Sequence, residues 1–284
     1  MKWNDITSLH LEISALCNSV CPQCARYPTA SYFEHPNIST NDTWSLSSVK
    51  QNLPAEDLVG ITSYLLNGTV GDFITNKDAV EIVEYFYNAS PGASIIINTN
   101  GSARTAEWWR KLAQFRPAVN FALDGLEDTH HLYRRQTNWN QILENSQAFM
   151  SAGGTANWTM TIFEHNEHQV DEARELAIKM GFKNFNVKRT TRWYRYDENS
   201  KGSYPVFWKG SKLYDLKQPN EEKFKHNFED ASYFQLSKYQ SITLDDFKNM
   251  TGILNTDQRW VNGGYKEINL SDLTIGCRSV LNAR

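Results

Sequence analysis

The sequence predicts an α/β protein built from parallel strand–helix units. Short apolar runs of strand length alternate along the chain with longer amphipathic segments of helix length. This alternation is typical of a parallel sheet in which a helix follows each strand. Six such units lie before about residue 195, and 284 residues are enough to bury one substantial core plus a smaller module.

Local patterns place the individual elements. The predicted strands lie at residues 9–16, 61–66, 94–98, the run that closes at 121–123, 158–163 and 184–188. The predicted helices lie at residues 78–87, 106–115, 139–152 and 169–180. Gly153 and Gly181 follow two of these helices, and glycine in that place is a common helix C-terminal signal.

Three cysteines, Cys17, Cys21 and Cys24, follow the first predicted strand. Thiolates on one loop predict a metal site. Structural zinc usually takes four protein ligands as two separated pairs, but the remaining cysteine, Cys277, is distant in sequence. An iron–sulfur cube on three protein thiolates leaves one iron open. The residues alone leave open two alternatives, three unrelated buried thiols or a zinc site completed by His10, His35 or Cys277.

The spacing Cys-x3-Cys-x2-Cys after a first strand resembles the signature of the radical S-adenosylmethionine (radical SAM) enzymes, over about the first 195 residues. The resemblance implies a partial (β/α)6 TIM-like barrel and a 4Fe-4S cluster on the three cysteines, whose open iron binds SAM. It also implies that reduction cleaves SAM to methionine and a 5′-deoxyadenosyl radical, which abstracts hydrogen from a substrate. Gln23 departs from the family, because the residue before the third cysteine is commonly aromatic.

Further segments resemble the family at the ends of the predicted strands. Residues 67–72 resemble its glycine-rich segment that binds the SAM amino group, although Asp72 stands where Glu is commoner. Arg134, with Arg135 as second choice, matches an arginine that pairs with the SAM carboxylate. In βα barrels these strand ends build the active site. The SAM-binding residues implied by the resemblance are Gly71, Asp72, Asn98, Asn100, Asp124, Arg134 and Asn166.

Two segments and the C-terminal part fall outside the strand–helix pattern. Residues 26–53 are expected to cover the site. Residues 194–230 are expected to be irregular, a solvated linker with aromatic anchors in preference to a surface that grips an acidic or peptidic partner. The predicted domains are a radical SAM barrel at 1–195 and an extension at 196–284 that carries substrate specificity. This extension resembles a truncated twitch or SPASM domain, in which Cys277 alone cannot hold an auxiliary cluster.

Composition predicts a soluble protein. The mean hydropathy of −0.57 and the lack of a long apolar run argue against a membrane span. The first residues do not resemble a signal peptide, so a reducing cytoplasm is expected. A net charge of −3 gives no general attraction to nucleic acid.

The expected function is that of a radical SAM enzyme. Resemblance to the twitch group implies a peptide substrate, with a nucleotide, sugar or other small metabolite as the alternative. An electron donor such as flavodoxin or ferredoxin is also expected. The competing class is a non-catalytic zinc or iron–sulfur module. The matching strand ends argue against it, because a carrier needs no SAM-binding groups around its metal.

Overall fold

The computed structural model describes residues 3–24, 26, 42–190, 192–195, 202–208 and 210–225. Its main feature is a six-stranded sheet in which all neighbouring strands are parallel and follow one another in chain order. The strands are β1 (Ser8–Leu11), β2 (Ser63–Leu66), β3 (Ser94–Thr99), β4 (Ala118–Ala122), β5 (Thr155–Ile162) and β6 (Asn184–Arg189). The predicted partial (β/α)6 barrel is therefore confirmed.

The predicted helices are also confirmed, with ends that differ by one or two residues. The helices are α1 (Leu46–Asn52), α2 (Ala79–Ala89), α3 (Ala106–Ala113), α4 (His130–Tyr133), α5 (Trp139–Ser151) and α6 (Val170–Met180). Side chains cap three of them at the N-terminus. Ser45 accepts from Ser48 N, Thr105 from Trp108 N and Asn138 from Gln141 N. Gly181, at φ 92°, ends α6 in the left-handed conformation that glycine adopts without strain.

The first strand is shorter than predicted. β1 ends at Leu11, and Ser14 makes only an isolated bridge to Thr43. Beyond Leu11 the backbone pairs with the segment before α1, since Ala15 N donates to Asp42 O and Trp44 N to Ile13 O. The apolar residues at 9, 11, 13 and 15 are buried both in β1 and after it ends. A pattern of alternating burial alone therefore cannot show where the strand stops.

The main hydrophobic core lies between the sheet and the helices. Residues of each strand alternate, so that Val119 and Phe121 of β4 are buried in this core. Aromatic rings fill much of its centre, and the ring centroids of Trp109 and Phe121 are 5.1 Å apart. Trp158 packs edge-on to Phe182 at 5.5 Å. This outer core fixes the curvature of the sheet and leaves the opposite strand face for the barrel interior.

The interior face of the sheet carries a ladder of five asparagine side chains, one each from β2 to β6 or the residue just after them. Strand pairing brings them side by side, and each amide Nδ2 donates to the Oδ1 of the preceding strand's asparagine. The four hydrogen bonds are 2.9, 2.8, 2.9 and 2.8 Å long. We call this row, Asn67, Asn98, Asn120, Asn157 and Asn184, the asparagine ladder.

The segment that follows β6 is not the irregular, solvated linker that we expected. It contains an antiparallel hairpin of β7 (Ser203–Trp208) and β8 (Ser211–Lys217). Three consecutive residues of β7 are buried, and the register shifts between Val206 and Phe207, so no simple alternation reveals the strand. Tyr204, Val206 and Leu216 are buried in a second apolar cluster. Burial of these side chains against the barrel explains why the segment is ordered.

Some predictions fall on residues outside the described ranges. These are most of the covering segment 26–53, the chain from 226 onward that we compared with a twitch domain, and Cys277. The domain division at residue 195 stays a prediction. None of the helices in the described ranges is long and apolar enough to cross a membrane.

Replacing the central rung of the asparagine ladder should destabilise the barrel. Asn120→Ala leaves the Asn98 Oδ1 acceptor and the Asn157 Nδ2 donor without their partners. We expect a loss of about 1–2 kcal/mol in the free energy of unfolding, measured by urea titration. The control Asn88→Ala, on the exposed surface of α2, should change it by less than about 0.5 kcal/mol. Equal effects of the two variants would contradict a supporting role for the ladder.

Candidate functional site

A cavity of about 390 Å³ lies at the C-terminal ends of the barrel strands. Residues from the loops after β1 to β4, from the interior of β4 and β5, and from β6 line it. The predicted site residues that line the cavity are Cys17, Cys21, Cys24, Gly71, Asp72, Asn98, Asn100 and Arg134. Two others, Asp124 and Asn166, are fully buried behind its wall.

Polar groups surround the cysteine sulfurs. Cys17 Sγ accepts from Ser19 N at 3.4 Å and from Asn100 Nδ2 at 3.9 Å. Cys21 Sγ lies 3.1 Å from Ser19 Oγ and 3.6 Å from Arg134 Nη1. A hydrogen bond from Val20 N to Arg135 O, 3.0 Å long, anchors this loop to the segment after β4. N–H donors and a guanidinium around sulfur favour a thiolate.

Burial acts in the opposite direction on the same thiols. Burial raises the pKa of Cys17 and of Cys21, whereas Arg134 lowers that of Cys21. Nearby Asp72 adds to the rise at Cys17. A metal that binds the sulfurs must displace these protons, so binding is linked to proton release.

The loop after β2 is built for close backbone approach. A Cβ atom on Gly71 would lie 1.9 Å from Ser14 O, and one on Gly68 would lie 2.1 Å from Gly71 O. Only glycine fits at either position. Arg26 donates to Ala15 O and, at 3.2 Å, to Val70 O. The β2 loop is therefore held directly against the loop that carries the cysteines.

Asp72 organises the ends of β2 and β3. Its Oδ1 accepts from Thr99 Oγ1 at 2.7 Å and Ile74 N at 3.2 Å, and its Oδ2 accepts from Asn100 N at 2.8 Å. Burial raises the pKa of this carboxyl against the effect of these donors. Asp72 thus reaches the cavity with its oxygens already hydrogen-bonded to the neighbouring strand end.

The amides of Asn98 and Asn100 are also engaged. Asn98 is a rung of the asparagine ladder. Asn100 Nδ2 donates to Asn18 Oδ1 at 2.9 Å, and its Oδ1 accepts from Ser102 N at 2.9 Å. Each amide retains a further N–H or lone pair for a ligand in the cavity.

A buried ion pair joins the fourth strand end to the cysteine loop. Arg134 Nε lies 2.6 Å from Asp124 Oδ2, whose side chain is 0% exposed. The other carboxylate oxygen accepts from Thr161 N at 2.5 Å. Burial opposes the charge of Arg134, but Asp124 and Cys21 outweigh it and raise the pKa of the guanidinium. Arg135, our second choice, turns away, since it donates to Phe207 O and its guanidinium lies 4.9 Å above the Trp208 ring.

Asn166 supports this ion pair from behind. Its Nδ2 donates to Thr161 O at 3.0 Å and Asp124 O at 3.2 Å, and its Oδ1 accepts from Phe163 N at 2.8 Å. The side chain of Asn166 thus forms hydrogen bonds within the loop after β5 and to Asp124. A contact between Asn166 and SAM stays a prediction.

The sequence reasoning missed cavity residues on β4 to β6. These are Asn120, Ala122, Thr159, Thr161, Lys188 and Arg189, with Thr190 and Arg192 just after β6, and a further one is Tyr133 at the end of α4. The signal was present as polar residues at every second position, such as 157, 159 and 161 of β5. Period-two polarity inside a barrel strand indicates an interior that holds a ligand instead of a packed core.

The profile of the Radical SAM superfamily matches residues 11–177, more than half of the chain. The chain belongs to the radical SAM superfamily. Members of this superfamily use a 4Fe-4S cluster and SAM. No curated protein sequence matches the chain significantly.

Solved structures of radical SAM proteins share the fold. SuiB of Streptococcus suis bound to the precursor peptide SuiA aligns with a TM-score of 0.54 and 13% identity, over 87% of this chain and 48% of SuiB. The protein anSMEcpe with bound AdoMet aligns with a TM-score of 0.53 and 13% identity, over 86% of this chain and 62% of its own. The alignments therefore span about half of SuiB and under two thirds of anSMEcpe.

The donor set of the cavity fits a cluster. Within the described ranges, no three Cys, His, Asp or Glu side chains converge on a point where they would hold one metal ion. A cube does not need such convergence, because its three thiolates bind three different irons. Cys17, Cys21 and Cys24 line one cavity together with Arg134 and the glycine turn, so these residues would hold a cluster beside space for a ligand.

Removing the charge of Asp124 should destabilise the protein strongly. In Asp124→Asn an amide group replaces the fully buried carboxylate, and the partly buried guanidinium of Arg134 loses its counter-ion. We expect about 3–5 kcal/mol less unfolding free energy, measured by urea titration.

The matched control is Glu81→Gln on the surface. Glu81 pairs with Lys111 Nζ at 2.7 Å, with side chains 41% and 50% exposed. Loss of the Glu81–Lys111 pair should lower the unfolding free energy by less than about 1 kcal/mol. If Asp124→Asn and Glu81→Gln lowered the unfolding free energy by similar amounts, the Asp124–Arg134 pair would stabilise the protein no more than a surface pair does.

His130 should make the protein less stable in acid. Its Nδ1 accepts from Asp124 N and its Nε2 lies 3.0 Å from Thr137 Oγ1. Burial lowers the pKa of His130 from 6.5 to about 4, so between these values the unfolded chain binds the additional proton. Stability then falls as pH decreases through this window, by roughly 3 kcal/mol in total.

Urea titrations at several pH values between 7 and 4 measure this slope. His130→Gln should make the slope shallower. The exposed His131→Gln should change it much less, because the charge of His131 makes only a minor contribution to the lowered pKa of His130. Part of the slope should persist in both, because burial also lowers the pKa of His165 to about 4. An unchanged slope in His130→Gln would exclude His130 as its source.

Proposed function

We propose that this chain is a radical SAM enzyme that cleaves SAM reductively at a 4Fe-4S cluster and abstracts hydrogen from a substrate. The observation that carries the proposal is one cavity that brings together three cysteines, a glycine turn and an arginine held by a buried aspartate, at the C-terminal ends of parallel strands. Membership of the superfamily supports the same conclusion.

Cys17, Cys21 and Cys24 would hold the cluster. When bound, it supplies one electron to SAM, which yields methionine and a 5′-deoxyadenosyl radical. The donors to Cys17 and Cys21 would stabilise negative charge on the two sulfurs when they bind the cluster. The hydrogen taken from the substrate ends on 5′-deoxyadenosine, which is the product to measure.

The remaining predicted residues would orient SAM. Arg134 combines a fixed position, through Asp124, with N–H groups that match a carboxylate. Gly71 exposes backbone and Asp72 lies beside it, as required for an ammonium group. Asn98 and Asn100 offer spare amide groups. Asp124 and Asn166 would act as positioning residues, because both lie behind the cavity wall.

We propose a peptide as the substrate. Support comes from the fold shared with SuiB, solved with its precursor peptide, and with anSMEcpe, solved with a peptide and AdoMet. Residues 1–195 would form the catalytic barrel and residues 196–284 a twitch-like extension that contributes to substrate specificity. Flavodoxin or ferredoxin in the cytoplasm would supply the electron.

The test is anaerobic reconstitution with iron and sulfide, followed by reduction with dithionite in the presence of SAM. We expect about four irons per chain, thiolate-to-iron absorption and 5′-deoxyadenosine. The triple variant Cys17→Ala, Cys21→Ala, Cys24→Ala should lose all three. Cys277→Ala, which removes the fourth cysteine of the chain, should retain all three. Zinc uptake, or a cluster that never cleaves SAM, would refute the proposed function and favour the metal-binding module.

A further inference from the structure

The cavity has two chemically different halves. The cysteines, the glycine turn, Asp72 and Arg134 all come from the loops after β1 to β4. The other half is formed by the interior of β4 and β5, by β6 and by the residues just after it. None of the residues assigned to the cluster or to SAM lines this second half. We call it the substrate half, an assignment that rests on the proposed function.

Cations mark the mouth of the substrate half. Lys188, Arg189 and Arg192 line it, and none of the described residues that line this half carries a carboxylate. Asp72, at the β2 end of the cavity, accepts three hydrogen bonds from the chain. Three like charges around one concave wall raise the local potential for anions.

These cations have unused donors. Arg189 donates to Lys225 O at 3.2 Å and Arg192 to Gln23 O at 3.2 Å, and a guanidinium has five N–H groups. Lys188 forms no ion pair with any described residue. Lys188 lies four residues after Asn184 on the same strand, so it shares the interior face of the asparagine ladder. Lys188 therefore lies on the face of β6 that lines the cavity.

Neutral polar groups lie below these charges. Thr159 and Thr161 of β5 and Asn120 of the asparagine ladder line the same half. Hydroxyl and amide groups both donate and accept, but they do not compete for a cation as a carboxylate would. The substrate half therefore offers positive charge at its mouth and neutral hydrogen-bonding groups at its floor, with Ala122 as its small apolar residue.

We propose that the part of the substrate that enters this half carries an anionic group, a carboxylate or a phosphate, bound by Lys188 and Arg192. Arg192 is held at this wall by Gln23, and its backbone N donates to Thr190 Oγ1 at 3.2 Å. In a peptide substrate the carboxylate belongs to an acidic side chain or to the C-terminus. Lys188 and Arg192 are then specificity-determining residues for the proposed reaction.

Isothermal titration of the reconstituted, SAM-loaded protein tests this proposal. The probes are N-acetylglutamate amide, its neutral isostere N-acetylglutamine amide, and inorganic phosphate, at low ionic strength. At least one anionic probe should bind about tenfold more tightly than the glutamine compound. The double variant Lys188→Gln, Arg192→Gln should lose about tenfold of that affinity. Binding of the glutamate compound identifies a carboxylate site, and binding of phosphate alone identifies a phosphate site.

Lys183→Gln is the matched control, because this exposed lysine precedes β6 and lies outside the cavity lining. It should bind the anionic probes as the unmodified protein does. Equal binding of charged and neutral probes, or an equal loss in Lys183→Gln, would overturn the proposal. So would a loss of SAM affinity in the double variant as large as the loss of probe affinity, because these cations would then serve SAM. The SAM-cleavage assay tests the proposed function independently of these titrations. If the unmodified protein formed no 5′-deoxyadenosine, the proposed function would be wrong.

Discussion

Arg134 reaches back from the end of α4 to Asp124, and this buried ion pair connects three parts of the site. Asp124 follows β4 and accepts from the backbone of β5, while Arg134 donates through Nε to Asp124 and through Nη1 to Cys21 Sγ. An isolated charge at either position would be costly to bury, whereas the pair and its hydrogen bonds offset that cost. The position of one cysteine is therefore coupled to the alignment of two neighbouring strands.

The polar interior of the barrel also depends on buried polar groups having hydrogen-bond partners. Aromatic and aliphatic side chains fill the space between sheet and helices, so the interior is not needed as a hydrophobic core. The asparagine ladder satisfies amides that would otherwise need water, and it keeps their remaining groups in fixed directions. In the proposed substrate half, neutral hydrogen-bonding groups lie next to the cations. Such an arrangement can orient a polar substrate through hydrogen bonds as well as through charge.

The β7–β8 hairpin completes the wall around Cys21. Its buried side chains join Tyr133, Phe163 and Trp193 in one apolar cluster with that cysteine. The Arg135 guanidinium packs over Trp208 on the same hairpin. Since Val20 N donates to Arg135 O, the hairpin, the α4 segment and the cysteine loop support one another. Residues beyond the barrel thus contribute to the environment of the site, which links the proposed extension to the chemistry of the barrel.

The sequence alone predicted the features that depend on residues close together in the chain. The alternation of strands and helices, the cysteine spacing and the glycines of the β2 loop each depend on local periodicity or on a residue type with special chemistry. These predicted the partial barrel, the cysteine loop and the β2 loop, but fewer than half of the residues that line the cavity. The hairpin was missed because its bulge and its run of buried residues interrupt the period that reveals a strand.

Other features depend on residues that are far apart in the chain. The asparagine ladder requires five strands in one register. Lys188, Arg189 and Arg192 line the same cavity as the cysteines only because the fold brings β6 and the loop after β1 together. The sequence likewise could not separate residues that line the cavity from those behind it. Asp124 and Asn166 carry groups suited to a ligand, but their hydrogen bonds are used by the chain itself. Side-chain type determines which bonds a residue can make, but only the packed neighbours determine which of them remain for a ligand.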